Sequence, residues 1–318
     1  MLKVAVVGVG HFGREHARVY SALAGARLVA VCDVDEARGA ATAREFQVPL
    51  ITNFRDLFGE VDAVSLAVPT IDHCGIACEF LENKVSVLVE KPMARTVQEA
   101  DLMLDAARRG KGVLQVGHLE RFNPAVVAAR RIVTQPRFFE AHRLSVFTPR
   151  SLDIDVVMDL MIHDIDVLLS LTRADVAEIR AAGIPILTSK VDIANARIEF
   201  ADGCVANLTA SRVSGERVRK LRFFQPHQYV SIDYTSQEAT AVSVEQDPRA
   251  GWPRLSGGLI PVEKGEPLRL EIESFLRAAE GGSVEVDGSQ GRRALELALG
   301  VMERIHEHAK NAGVPISD

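Results

Sequence analysis

Along the first 120 residues, short apolar runs alternate with stretches of helical spacing. Leu2–Val7 is apolar except for Lys3 and ends in a glycine turn, after which Gly13–Ala24 has helical spacing. The runs Arg27–Cys32, Asp62–Val68, Val85–Val89 and Val113–Val116 repeat the apolar pattern. Helical patterns at Asp35–Phe46, Thr70–Glu82 and Thr96–Arg109 separate them. Buried strands spaced by helices predict a doubly wound parallel sheet.

The rhythm changes after about residue 120. A helix is expected over Asn123–Ile132, a strand over Phe138–Val146 and a long helix over Val156–Leu171. Ala194, Ala196, Ile198 and Phe200 then give one apolar face, with Asn195, Arg197 and Glu199 on the other. Asp202-Gly203 is a hairpin turn before Cys204–Ser211, and Leu221–Phe224 and Tyr229–Tyr234 continue the alternation. An antiparallel or mixed sheet is predicted. Residues 246–266 carry Pro, Gly and few periodic apolars and are expected to be a loop. Two helices, Pro267–Glu280 and Ser289–Asn311, close the chain.

Composition narrows the class of protein. A chain of 318 residues, 47% hydrophobic and 25% charged, can form two domains with cores of their own. A net charge of −6 provides no overall basic field, so nucleic acid is not an expected partner. The N-terminal apolar run is too short for a signal peptide, and no run reaches the length of a membrane span. Cys32, Cys74, Cys78 and Cys204 form no disulfide framework; Cys74 and Cys78 read as buried helix residues. A cytoplasmic protein is expected.

Gly8-Val9-Gly10-His11-Phe12-Gly13 matches G-x-G-x-x-G after a strand and at the opening of a helix, with Asp33 at the end of the second strand. That context is what a dinucleotide fingerprint requires. Gly8 permits the tight turn, Gly10 lets the backbone approach a pyrophosphate at the helix N-terminus, and Gly13 allows close helix–strand packing. Asp33 would accept from ribose hydroxyls and repel a 2′-phosphate, so NAD is favoured over NADP. Arg38 is the one nearby residue able to rescue NADP. The plainer alternative is a glycine turn without cofactor, with Asp33 as a helix cap.

Two further places carry chemistry. Glu90-Lys91-Pro92 ends a strand, and ligands of open parallel sheets bind beyond the carboxyl ends of strands. By position alone, Lys91 reads equally well as a solvated lysine. Asp159 and His163 lie four apart in a strongly apolar helix, with Asp166 extending their face. A hydroxyl being oxidised must lose its proton, a task that suits histidine, and a neighbouring carboxylate can orient the imidazole. A structural ion-pair face and a zinc site remain as alternatives; no further His or Cys joins the cluster in sequence, and no metal is expected.

The three motifs together, Gly8–Gly13, Glu90-Lys91-Pro92 and Asp159-x-x-x-His163, resemble the glucose–fructose oxidoreductase/inositol dehydrogenase/MocA family over essentially the whole chain. The resemblance implies a Rossmann domain (1–120) that binds NAD. It also implies a substrate-binding and oligomerisation domain (121–318) with a large open, mostly antiparallel sheet, and hence a homodimer or homotetramer. It makes Lys91 the lysine that contacts the reacting hydroxyl and the nicotinamide end of the cofactor, His163 the acid/base and Asp159 a positioning carboxylate. Val68, Pro69, Thr70 and His73 resemble the segment that lines the cofactor; Thr70 also reads as a helix N-cap. Glu90, His11 and Phe12 join the cofactor residues.

A narrower resemblance lies in Val116–Pro124, in Arg143–Arg150 and in Asp155–Asp166. These segments look like the members that oxidise C3 of UDP-linked N-acetyl sugars and pass a 3-keto nucleotide sugar to an aminotransferase in lipid A synthesis. UDP-N-acetylglucosamine is the implied substrate, with its uronate or a free sugar or inositol as alternatives. Glu120, Arg121, Asn123, Arg143 and Arg150 join Lys91, Asp159 and His163 as candidate substrate residues. Arg121, Arg143 and Arg150 could meet a diphosphate, and Arg212, Arg217 and Arg219 form a further basic group. A non-catalytic NAD(H) sensor would be indicated by loss of Lys91 or His163, and both are present.

Overall fold

The computed structural model describes residues 1–148, 154–172, 174–245 and 252–316. In chain order the first elements are β1 (Leu2–Val7), α1 (His11–Ala22), β2 (Ala26–Cys32), α2 (Glu36–Phe46), β3 (Leu50–Ile51), β4 (Ala63–Leu66) and α3 (Thr70–Glu82). Next come β5 (Ser86–Glu90), α4 (Val97–Gly110), β6 (Leu114–Gly117), α5 (Pro124–Arg130), β7 (Phe138–Leu144) and α6 (Ile162–Leu171). Seven strands follow: β8 (Val176–Ile184), β9 (Ile193–Phe200), β10 (Val205–Ser211), β11 (Val218–Gln225), β12 (Gln228–Asp233), β13 (Glu238–Glu245) and β14 (Arg254–Ile260). Helices α7 (Pro267–Ala279) and α8 (Gly288–Ala312) end the chain.

These elements form two compact units. The first holds Met1–Leu119 and Glu266–Leu295, the second Glu120–Gly265 and Glu296–Asp318. The return of residues 266–295 to the first unit follows from packing: Ile272, Phe275 and Leu276 of α7 share a core with Val4, Val6, Ala17 and Tyr20. All six strands of the first unit are parallel, in the order β3-β2-β1-β4-β5-β6. The order reverses between β1 and β4, which opens a crevice at their carboxyl ends.

The second unit carries an eight-stranded sheet, β14-β13-β12-β11-β7-β10-β9-β8, antiparallel except for the β7–β10 pair. Helices α5 and α6 pack on its inner face. Phe139, Ala141, Leu221, Phe223, Ala206 and Leu208 point inward and are fully buried.

The loop expected over 246–266 is corrected: Arg254–Ile260 pairs with β13 as an edge strand. Its alternation is hidden by Gly257, whose φ of +134° and approach to Ala241 leave no room for a Cβ. Cys74 and Cys78 do lie on α3 but are half-buried rather than buried, and all four cysteines are free thiols. Among the described residues no helix is long and apolar enough to cross a membrane.

Candidate functional site

In the first unit the glycine turn sits at the crevice. Gly8 has φ +84°, and a Cβ there would lie 2.7 Å from the Ala67 carbonyl. A Cβ at Gly13 would lie 1.8 Å from the Gly8 oxygen, so only glycine lets α1 start where it does. At Gly10 a Cβ would meet nothing, which leaves that side of the turn open for a ligand to approach the backbone. Gly10 is the N-cap of α1 and makes no side-chain cap bond, and His11 and Phe12 are exposed beside it. The start of α1 therefore presents backbone N–H groups and the positive end of the helix dipole.

Asp33 follows β2. Its Oδ2 accepts from the Val9 N–H at 2.9 Å, which ties the carboxylate to the glycine turn. Arg38 donates to both its oxygens, at 2.9 and 2.7 Å. Burial pushes the Asp33 carboxyl up, but Arg38 and the N–H groups of Asp35 and Val9 outweigh it and hold it below the usual range. Asp33 is not a helix cap; Asp35 caps α2, accepting from Arg38 N–H. A cavity of about 490 Å³ has Gly8, Gly10, Asp33, Arg38, Val68 and Pro69 among its walls. A cradle without Cβ atoms, a helix N-terminus and the Asp33 carboxylate around one cavity fit a dinucleotide.

Thr70 is the first residue of α3 rather than its cap, a position taken by Pro69 without a side-chain bond. His73 is buried on α3, where its Nδ1 contacts the Pro92 carbonyl at 3.0 Å and its Nε2 the Val68 carbonyl at 2.9 Å. It links the loops after β4 and β5. Lys91 follows β5 at the carboxyl edge, and the Lys91–Pro92 peptide is cis. Glu90 turns back into the unit, where its Oε1 pairs with His16 Nε2 at 3.0 Å. His16 Nδ1 contacts Ser65 Oγ, which also contacts the Tyr20 hydroxyl, both at 2.9 Å. Burial raises the Glu90 carboxyl, but His16 and Lys91 outweigh it and hold it low. His16, Glu90 and buried Glu271 bring ligand atoms within 4.8 Å of one another. Sequence reasoning missed His16; its only signal was a histidine on the inner face of α1.

In the second unit the chain enters α6 through a π-helical turn, Val157–Met161, which contains Asp159 and places His163 at the second position of α6. Such wide turns recur at functional sites. Asp159 and His163 are half-buried, whereas Asp164 and Asp166 are buried. Arg121 pairs with Asp166 at 3.4 Å. Arg143, only 2% exposed, donates to Asp164 at 2.7 and 3.0 Å and to Glu120 at 3.0 Å, and it stacks over Tyr234. Asn123 donates to Glu120 and to the Tyr234 carbonyl. Four of the candidate substrate residues are thus engaged with one another or with α6.

Magnitudes decide what Arg143 does. Withdrawing it from Asp164 would strand a buried charge at about 3–5 kcal/mol. A charged hydrogen bond to a ligand returns about 1.5–3 kcal/mol. Arg143 therefore stays paired and anchors α6 to β7. Arg212 is similarly tied, beside Asp192 at 3.6 Å. Arg150 lies outside the described residues.

Comparison with known proteins places the chain. Residues 2–118 match the GFO/IDH/MocA oxidoreductase family, NAD-binding Rossmann fold, and residues 125–225 match the GFO/IDH/MocA C-terminal domain. The UDP-N-acetylglucosamine 3-dehydrogenase of Acidithiobacillus ferrooxidans is 39% identical over 94% of this chain and 96% of its own. A solved structure of that enzyme superposes with a TM-score of 0.90 at 38% identity, covering 96% of this chain and 98% of that one. Levoglucosan dehydrogenase in complex with NADH and levoglucosan shares the fold, with a TM-score of 0.84 at 20% identity over 96% of this chain and 97% of that one.

Proposed function

The chain belongs to the GFO/IDH/MocA family of NAD-binding oxidoreductases, and from that premise we propose that it oxidises the C3 hydroxyl of UDP-N-acetylglucosamine to the 3-keto nucleotide sugar. The observation that carries this reading is the 39% identity, over nearly the full length of both chains, to an enzyme of that name. The glycine cradle, Asp33, Lys91 and His163 are all present to support it. Bound NAD supplies the hydride acceptor. The Gly8–Gly13 turn holds its pyrophosphate and Asp33 its ribose. Lys91 steadies the developing alkoxide, His163 takes the hydroxyl proton, and Asp159 orients the imidazole. Thr70, Val68 and Pro69 line the cofactor. Glu120, Arg121, Asn123 and Arg143 act as a frame that fixes α6 and so aims His163. The reactive ketone passes to an aminotransferase of 3-amino-sugar synthesis for lipid A. The protein works in the cytoplasm as a homodimer or homotetramer.

The test is to incubate the protein with NAD and UDP-N-acetylglucosamine, with and without an aminotransferase and glutamate, and follow NADH absorbance. NADH should form, more so in the coupled arm, and Lys91→Ala and His163→Ala should each lower the rate by at least about 100-fold. NADH from the uronate or from free inositol but not from UDP-N-acetylglucosamine would overturn the substrate. Tight NADH binding without turnover of any sugar would overturn the activity.

A further inference from the structure

A nucleotide sugar is an anion, and resting on that substrate class we propose that Arg219 is the side chain of the second unit that takes an acidic group of the substrate. Arg219 stands directly opposite Arg143 in the antiparallel β7–β11 pair. It precedes the fully buried Leu221 and Phe223 by two and four positions, so it shares the inner, helix-covered face with Arg143, Ala141 and Phe139. Like charges directly opposite on one face of a sheet destabilise it.

The two arginines are not equivalent. Arg143 is neutralised by Asp164 and Glu120. Arg219 pairs with no carboxylate among the described residues, and its buried Nε has no hydrogen-bond partner. Burial and the charge of Arg143 lower its proton affinity, Arg217 adds to the effect, and Glu120 and Asp164 only partly oppose it. A half-buried guanidinium facing another guanidinium is an incomplete arrangement that an oxyanion completes. The place is apt: Arg143, its cross-strand neighbour, is bonded to Asp164, the residue after His163. Arg121, Arg143 and Arg212 each pair with a carboxylate inside the chain, whereas Arg219 has no such counter-ion among the described residues.

The ligand chemistry is an oxyanion that accepts from a planar fork. Either the diphosphate of a UDP-sugar or the carboxylate of a uronate provides one. A cation kept unpaired on an inner sheet face costs stability in the free protein, the usual trade at a binding site.

Calorimetric titration of the NADH-loaded protein tests this, using wild type, Arg219→Gln and Arg219→Lys with UDP, UDP-N-acetylglucosamine and its uronate. Melting temperatures of the ligand-free proteins are measured alongside. R219Q should weaken nucleotide-sugar binding by about 10-fold or more and leave NADH affinity unchanged. R219K, which keeps the charge without the fork, should recover only part of the loss. The ligand-free melting temperature of R219Q should be unchanged or higher. A loss shared by UDP alone identifies the diphosphate; a loss confined to the uronate identifies the carboxylate. Both support the proposal. Wild-type affinity in R219Q, or a fall in melting temperature with unchanged sugar affinity in R219K, overturns it. Failure of wild type itself to bind any UDP-linked ligand overturns the substrate class, a result distinct from the other two.

Discussion

Under the proposed function Asp33 would discriminate between the two nicotinamide cofactors, and Arg38 rests on it. In the free chain the guanidinium occupies both carboxylate oxygens, while Val9 and Asp35 N–H groups hold the same carboxylate in place. Removing the negative charge without removing the acceptor should therefore release Arg38 toward a 2′-phosphate. Asp33→Asn should bind NADH about 10-fold more weakly and NADPH more tightly than wild type, measured by nicotinamide fluorescence. In Asp33→Asn/Arg38→Ala the gain for NADPH should vanish; equal NADPH affinity in the single and double variants would show that Arg38 does not read the phosphate. Asp33 was legible in the sequence because its position after the second strand is fixed by local spacing. The commitment of Arg121 and Arg143 was not: an arginine looks alike in sequence whether it meets substrate or a buried Asp164, since the partner arrives from 21 residues away.

At the scale of elements, legibility followed burial. Every strand of the parallel sheet except two-residue β3 showed as an apolar run, because both its faces are covered. The antiparallel sheet has one covered face, and its edge strands β8 and β14, with β13 beside β14, were not read individually. β14 has no alternation to read: Leu255 and Leu259 are 68% and 70% exposed and flank two glycines. By register Leu255 and Leu259 lie opposite Val244 and Thr240, on the face away from α5 and α6. Phe138, Phe224 and Tyr229 continue that outer face as a row of ring contacts. An apolar row on an uncovered sheet is the surface that a second copy of this chain would cover, as the oligomer proposal requires. Leu255→Glu/Leu259→Glu should shift the sedimenting species toward monomer with little change in NADH affinity; an unchanged mass would remove this face from the assembly.

At the scale of the whole molecule, the titrating groups set the range of pH over which the fold holds. Burial drives the His73 pKa below its ordinary 6.5, and its two carbonyl contacts, Glu90 and Met93 only partly oppose this. The unfolded chain then takes the proton first, so stability starts to fall as pH drops below about 6.5. Asp33, Glu90 and Asp192 are held below their ordinary values, Asp192 because burial is outweighed by the N–H groups of Ile186, Thr188 and Leu187. Their contributions are present above the unfolded values of 3.8 and 4.5 and are lost as pH falls through the lower folded ones, steepening the acid limb. On the alkaline side burial pushes the Cys32 and Cys78 thiols up to about 12 and Cys204 to about 11, and raises Tyr20 and Tyr234. A raised group stabilises fully below its unfolded value, and the effect is lost as pH climbs toward the folded one. The melting temperature should therefore form a plateau from about pH 6.5 to about pH 9, the ordinary values of the histidine and the thiols. His73→Gln separates the two acid phases. It should lower the plateau by loosening the loops after β4 and β5, and flatten the slope between about pH 6.5 and the carboxylate range; Glu90 and Glu99 are carboxylates whose charge interacts with the ring. A slope as steep as in wild type would show that His73 takes up no proton on unfolding and that the first acid phase belongs to another group.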